Sequence, residues 1–166
     1  MGLTIYLAGF DVFRLDARAH GERLKALCAQ HGHRGLYPLD NELPAGMSGP
    51  EAAQWIYRAN IELIGQADAV VANLNNFRGL EPDSGTAFEV GYAVALGKPV
   101  WGYLEDHRPL HQQVLCTEAA KGHYVDAKQL TVENFGLPRN LMLACSVQGL
   151  ARSLEESLRA LAAKKS

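Results

Sequence analysis

The sequence has 166 residues, 48% of them hydrophobic, which is enough for one domain with a full core, so we expect residues 1–166 to form a single domain. A formal net charge of -2 argues against binding to nucleic-acid polymers, which proteins grip with an excess of basic residues. The longest apolar runs are too short to span a membrane, and residues 1–4 lack the charged start of a signal peptide, so we expect a cytoplasmic protein.

Along the chain, short apolar runs alternate with amphipathic segments. In order, the pattern predicts a strand at 3–8, a helix at 16–31, a strand at 35–39, a helix at 50–66, a strand at 68–74, a helix at 85–96, strands at 99–103 and 123–126, and a helix at 147–163. Strands that alternate with helices are typical of a parallel sheet covered on both faces. We therefore predict an α/β three-layer sandwich with a mainly parallel sheet, of the flavodoxin-like or Rossmann-like type.

Polar residues gather where such a sheet binds ligands, outside the carboxyl ends of its strands. Tyr6 lies near the end of the first strand, and Asp83 and Glu89 follow the third. Two carboxylates in one cavity can divide the work of glycosidic chemistry, and Tyr6 is placed to orient one of them. Structural roles stay open for the same residues, since Asp83 suits a helix N-cap, Glu89 an exposed helix surface and Tyr6 the core.

Four segments of the sequence carry a resemblance to a known family. They begin with Tyr6-Leu-Ala-Gly9 and Asp68-Ala-Val-Val-Ala72 and continue with residues 77–93, Phe-Arg-Gly-Leu-Glu-Pro-Asp-Ser-Gly-Thr-Ala-Phe-Glu-Val-Gly-Tyr-Ala, and 135–143, Phe-Gly-Leu-Pro-Arg-Asn-Leu-Met-Leu. In order and spacing they resemble the nucleoside 2-deoxyribosyltransferases. The resemblance implies transfer of a 2-deoxyribosyl group between nucleobases, with deoxynucleosides and free bases as substrates, nucleoside hydrolysis as a side reaction, and neither a metal nor another cofactor.

The resemblance also implies roles for individual residues. Glu89 would form the covalent deoxyribosyl intermediate, with Tyr6 as its orienting partner. Asp83 and Asp68 would line the sugar and base ends of the pocket, and either is a candidate for proton delivery to the leaving base. Asn140 and Met142 would reach into the site of a neighbouring subunit, which implies a homodimer or larger assembly with shared sites.

Further substrate contacts are assigned to the two loops that follow the first and third strands. Gly9, Phe10 and Phe13 belong to the first of these loops, and Arg78 and Gly79 to the second. Trp55 lies on an amphipathic helix and is predicted to pack there rather than to stack on a substrate.

Three alternatives differ in chemistry. A deoxynucleoside 5'-monophosphate N-glycosidase would need groups in the first loop that donate hydrogen bonds to the phosphate. Residues 9–14, Gly-Phe-Asp-Val-Phe-Arg, are instead acidic and poor in such donors. A non-catalytic nucleotide-binding domain is the second alternative, although no Gly-x-Gly-x-x-Gly follows the first strand. A metal site at His31 and His33 or at His107 and His111 is not expected, because neither pair has the glutamate of a His-Glu-x-x-His motif or a nearby set of cysteines.

Overall fold

The protein, described for residues 2–163 by a computed structural model, alternates strands and helices through its first hundred residues. The elements are β1 (Thr4–Ala8), α1 (Ala17–Gln30), β2 (Arg34–Leu36), α2 (Gly49–Gln66), β3 (Ala69–Asn73), α3 (Ser84–Ala95), β4 (Val100–Tyr103), α4 (Leu110–Gln113), β5 (Cys116–Ala120), β6 (His123–Asp126), β7 (Thr131–Val132), α5 (Leu141–Ala144), β8 (Leu150–Ala151) and α6 (Leu154–Ala163). Short 3-10 turns at Phe10–Phe13 and Pro38–Asp40 follow β1 and β2.

The main sheet contains five parallel strands in the order β2-β1-β3-β4-β8. Every residue of β3 is buried, because this strand lies at the centre of the sheet with helices over both faces. The helices that follow β1 and β3, which are α1 and α3, cover opposite faces of the sheet, so the connections diverge at the carboxyl ends of these two neighbouring strands and leave a crevice there. The crevice is where the sequence predicted a site.

Two apolar cores lie on the two faces of this sheet. One joins α2 and α3 to the sheet through residues such as Ile64, Val90 and Val70. The other joins α1 and α6 to the opposite face through Cys28 and Leu158. The predicted α/β three-layer arrangement with a mainly parallel, flavodoxin-like sheet is therefore confirmed.

The prediction of one helix over residues 147–163 is wrong at its start. Leu150–Ala151 instead forms β8, which pairs with β4, and the helix begins at Leu154. Gly149 lies beneath the ring of Trp101, where an added Cβ would come within 2.4 Å, so only glycine allows this close approach along the sheet edge. The side chain of Ser153 accepts a hydrogen bond from the Glu156 amide and marks the true helix start.

A second, antiparallel sheet of β5, β6 and β7 lies outside the main one. Of its strands only β6 was predicted. The side chains of β5 are mostly exposed, and its sequence Cys-Thr-Glu-Ala-Ala carries no apolar alternation that would have revealed it. Within residues 2–163, no helix combines the length and apolar character needed to cross a membrane.

Candidate active site

A cavity of about 380 Å³ opens at the carboxyl end of the main sheet. The turn after β1, the segment after β2, the middle of α2 and the first two turns of α3 surround it. Its wall is largely apolar and includes Val12, Phe13, Leu39, Trp55 and Ile56. A few polar groups interrupt this wall, among them two carboxylates from α3 and its cap, so the cavity has the mixed character of a small-molecule site.

Glu89 reaches the cavity from the second turn of α3, where it meets Tyr6 of β1. The Tyr6 hydroxyl, fully buried beneath the helix, donates a hydrogen bond of 2.6 Å to Glu89 Oε1. Burial and the adjacent carboxylate raise the pKa of Tyr6 far above its usual value, so the phenol keeps the proton that it donates. No hydrogen bond to Glu89 Oε2 comes from the residues that the structure describes, which leaves this oxygen available to a ligand.

The carboxyl of Glu89 titrates near neutrality. Burial raises its pKa from 4.5 to about 7; the hydrogen bond from Tyr6 lowers it and the Asp83 carboxylate raises it. A carboxylate with a displaced pKa in a cleft marks a group suited to catalysis. Above pH 7 it carries a poorly solvated negative charge facing the cavity, which is the state required of a nucleophile.

Asp83 occupies both positions that the sequence suggested for it, the N-cap of a helix and the wall of the cavity. It is the N-cap of α3, and its Oδ2 accepts hydrogen bonds from the backbone amide of Thr86 at 2.9 Å and the Thr86 hydroxyl at 3.0 Å. It also lines the cavity together with Glu89. The cap fixes the side chain, so Asp83 presents a carboxylate oxygen to the site in one orientation.

Asp68 is not part of this cavity, and the prediction that it lines the pocket is wrong. It precedes β3, so it lies at the amino edge of a parallel sheet whose cavity is at the carboxyl edge. There its Oδ2 accepts a hydrogen bond of 2.7 Å from the Thr4 amide, which joins the starts of β3 and β1. Its position supports a structural role.

The five residues assigned to the two loops divide into two groups. Gly9 and Phe13 line the cavity. Phe10, Arg78 and Gly79 do not, but Phe10 stacks on Phe77, whose ring also stacks on Phe13, each pair at 5.2 Å. The Arg78 guanidinium lies 4.6 Å from the centre of the Phe77 ring, held there by a left-handed backbone with φ of 52°. This cluster covers the turn that carries Phe13.

Asn140 and Met142 lie away from Glu89 within one chain. Asn140 caps α5 and donates a hydrogen bond of 2.5 Å to Glu133 Oε1. Met142 is 72% exposed, and both residues line a groove along the outer side of α3. The structure of one chain therefore does not bring them to the cavity.

Two residues of α2 were missed or misjudged. Trp55, predicted to pack, lines the cavity, and so does Asn60, which was not singled out. Asn60 Oδ1 is buried and has no hydrogen-bond partner among the described residues. Buried acceptors are nearly always satisfied, so an unsatisfied one facing a cavity indicates a place for a ligand's donor. An asparagine on the same helical face as Trp55, Ile56 and Ala59 is the signal that could have found it.

The family model described as nucleoside 2-deoxyribosyltransferase matches residues 5–142, a span that includes Tyr6, Asn60, Asp83 and Glu89. The chain belongs to the nucleoside 2-deoxyribosyltransferase family. The resemblance stated from the sequence is thus confirmed, and family membership makes the protein an enzyme of the glycosyl-transferring or N-glycosidase type, with nucleosides and nucleobases as its substrate class.

Individual relatives agree with the family. The chain is similar to the solved structure of a 2-desoxiribosyltransferase from Leishmania mexicana, with 38% identity, a TM-score of 0.76 and coverage of 97% of both chains. A 2-deoxyribosyltransferase from Bacillus psychrosaccharolyticus is 21% identical with a TM-score of 0.62, over 93% of this chain and 90% of that one, and shares the fold. An uncharacterized protein of Schizosaccharomyces pombe is 30% identical over 155 residues, 83% of this chain and 74% of that protein.

No group of three or more histidine, cysteine, aspartate or glutamate side chains is arranged as a metal site in the part of the chain that the structure describes.

Proposed function

We propose that the protein transfers 2-deoxyribosyl groups between nucleobases through a covalent intermediate on Glu89. The observation that carries this proposal is the partly buried Glu89 carboxylate, held by Tyr6 at one oxygen and open to the cavity at the other. The similarity to the Leishmania enzyme over nearly the whole chain supports the choice of reaction.

The proposed reaction has two displacements. Glu89 Oε2 forms a bond to the anomeric carbon, and the bond to the base breaks with its electron pair going to the base nitrogen, which takes up a proton. An acceptor base then attacks the same carbon, loses a proton and releases Glu89. Developing positive charge at the anomeric carbon is stabilised by the nearby carboxylate. Two inversions leave the configuration retained.

Asp83 is the better candidate for the proton transfer to the leaving base, because it lines the cavity and Asp68 does not. The rings of Phe13 and Trp55, which also line the cavity, offer flat apolar surfaces suited to a nucleobase. A base stacked on this wall would cover part of the cavity, and the exclusion of water that results would favour an acceptor base over hydrolysis of the intermediate.

The proposal is tested by incubating the protein with deoxyinosine or thymidine, with and without a second free base, and separating the products by chromatography. A new deoxynucleoside that forms only with the acceptor supports the transferase. Free base released at the same rate in both incubations, with no new nucleoside, would instead identify a hydrolase and overturn the proposal.

Deoxynucleoside 5'-monophosphates form a second arm of that assay. Among the described residues that line the cavity, one arginine, Arg18, accompanies the two carboxylates of Asp83 and Glu89. The resulting net negative charge disfavours a phosphate dianion. Faster turnover of the monophosphate than of the nucleoside would therefore favour the N-glycosidase alternative.

Asn60→Ala is expected to weaken deoxynucleoside binding about tenfold, because a donor of the substrate loses the acceptor that the buried Oδ1 provides. Calorimetric titration of deoxyinosine in a Glu89→Gln background, where turnover is blocked, measures the affinity. Gln54→Ala, exposed on the same helix, is the matched control. Equal affinity of the Asn60 variant and this control would contradict a substrate contact.

We further propose that Asn140 and Met142 complete the cavity of a second copy in a dimer. Within one chain they lie on the outer side of α3, and Met142 exposes most of its side chain in a groove that it shares with Val94, an exposed apolar residue of that helix. Exposed apolar side chains grouped in this way are typical of a protein–protein interface. Glu133 holds the segment by accepting hydrogen bonds from the Asn140 side chain and the Leu141 amide.

Met142→Asp is expected to lower base exchange at least about tenfold by placing a charge in this interface. Mixing the Met142→Asp variant with the Glu89→Gln variant distinguishes a site shared between subunits from a simple loss of dimer assembly. In a mixed dimer one cavity has both an intact Glu89 and an intact Met142 from its partner, so activity should appear that neither variant has alone. No recovery after subunit exchange, in a mixture that forms dimers by light scattering, would refute the shared site.

A further inference from the structure

The turn between β1 and α1 separates two cavities. Gly9, Val12 and Phe13 face the cavity that holds Glu89, whereas Phe10, Asp11 and Arg14 face a second one on the other side. The turn thus forms the wall that the two cavities share. Any shift of this wall changes the shape of the catalytic cavity through Phe13.

Asp11 attaches the turn to the rest of the fold. The residue is only 6% exposed, a rare situation for a carboxylate unless it is paired. Asn73 Nδ2, at the end of β3, donates a hydrogen bond of 2.8 Å to Oδ2, and His20 Nε2, on α1, lies 3.1 Å from Oδ1. One buried carboxylate therefore connects the turn to the central strand and to a helix.

The Asn73 amide is fixed in the orientation that this contact requires. Its Oδ1 accepts hydrogen bonds from the backbone amide and the side-chain amide of Asn75. The Asn75 Oδ1 in turn accepts a hydrogen bond from the Glu105 amide, after β4. Because the oxygen of Asn73 is committed, its Nδ2 must face Asp11, and only an acceptor can satisfy it there.

The outer side of the turn is held less firmly. Phe10 and Phe13 are attached through stacking on Phe77, and Phe13 is 57% exposed. Stacked rings slide at small energetic cost, whereas a buried, charge-assisted hydrogen bond has a defined length and direction. The position of Phe13 relative to the cavity therefore depends on Asp11 more than on the aromatic cluster.

We propose that Asp11 is a positioning residue, which through its hydrogen bond with Asn73 holds Phe13 against the catalytic cavity and so sets the affinity for the nucleobase. The inference rests on the proposed function, since it assigns Phe13 to the base. Asp11 itself does not touch the substrate. Its loss should raise the KM for the nucleoside and leave the rate at saturation, which depends on Glu89, nearly unchanged.

Asn73→Asp tests this directly. It places a second carboxylate against Asp11 while retaining the acceptor that Asn75 needs, so the turn is pushed away. We expect the KM for deoxyinosine and the dissociation constant of the free base to rise about tenfold, with kcat within about threefold of the wild type. The reciprocal variant Asp11→Asn/Asn73→Asp restores a donor facing an acceptor and should return both constants to nearly wild-type values.

The outcomes are distinct. A KM that is unchanged in Asn73→Asp, or raised equally in the reciprocal variant, would overturn the positioning role. A fall in kcat with unchanged KM, together with a lower melting temperature, would mean that the pair only stabilises the fold. Failure of the wild-type protein to exchange bases would instead refute the proposed function, a result independent of the variants.

Discussion

Glu89→Gln is expected to lower the rate of base exchange by at least about a thousandfold, because the neutral amide cannot form the bond to the anomeric carbon. The substitution keeps the size of the side chain and an oxygen to accept the Tyr6 hydrogen bond, so the cavity should keep its shape. Chromatographic measurement of exchange between deoxyinosine and a free base gives the rate directly.

Glu62→Gln is the matched control for this substitution. Glu62 is exposed on α2 and does not line the cavity, and the change removes the same charge. Exchange in the control should equal that of the wild type. Residual exchange above about one tenth of the wild-type rate in Glu89→Gln would show that another group forms the intermediate.

The Glu89→Gln substitution is also expected to stabilise the protein at alkaline pH. The pKa of Glu89 is raised from 4.5 to about 7 on folding, mainly by burial. A carboxyl whose pKa is higher in the folded state favours folding while protonated, and this contribution is lost as pH rises from 4.5 through 7. At pH 8 the ionised side chain therefore costs about 3 kcal/mol of folding free energy, which the neutral glutamine avoids.

Urea unfolding at pH 5, 6, 7 and 8 measures this difference. Glu89→Gln should exceed the wild type in free energy of unfolding at pH 8, and the gap should narrow as the pH falls below 7, to about a quarter of its pH 8 value at pH 5. In Glu62→Gln, where the carboxyl is exposed, no such trend is expected. A gap that does not change with pH would mean that the Glu89 carboxyl is not held in a poorly solvated place.

The pairing of Tyr6 with Glu89 shows the limit of what a sequence can predict about the site. The two residues are 83 positions apart, and no local pattern connects them. The order of strands and helices predicts that both lie toward the carboxyl end of the sheet, and the long block at residues 77–93 carries the family resemblance. Their contact itself depends on how deeply α3 packs over β1, which side-chain packing decides and periodicity does not.

The failure at Asp68 has a simpler cause. A residue that precedes a parallel strand lies at the amino edge, and one that follows it lies at the carboxyl edge, so strand direction alone excludes Asp68 from the cavity. Asn60 was missed because its helix has an ordinary amphipathic pattern. What distinguishes Asn60 is a buried Oδ1 that no other described residue satisfies. The start of α6 was misjudged because the close contact of Gly149 with Trp101 is a tertiary effect.

The cavity draws on the three crossover connections that follow β1, β2 and β3, the second of which contains α2, while the sheet contributes little more than the hydroxyl of Tyr6 beneath Glu89. Lineages that inherit this fold can therefore vary the cavity-facing side chains of the turn after β1 and of the segment after β2 and meet new bases, as long as Val12 and Leu39 keep their packing on the core beneath them. The chemistry, anchored to a strand and a helix, would change slowly, whereas substrate choice would be free to drift. Sequence differences among such enzymes should accordingly accumulate in the cavity-facing residues of 9–14 and 38–43 sooner than in the strands.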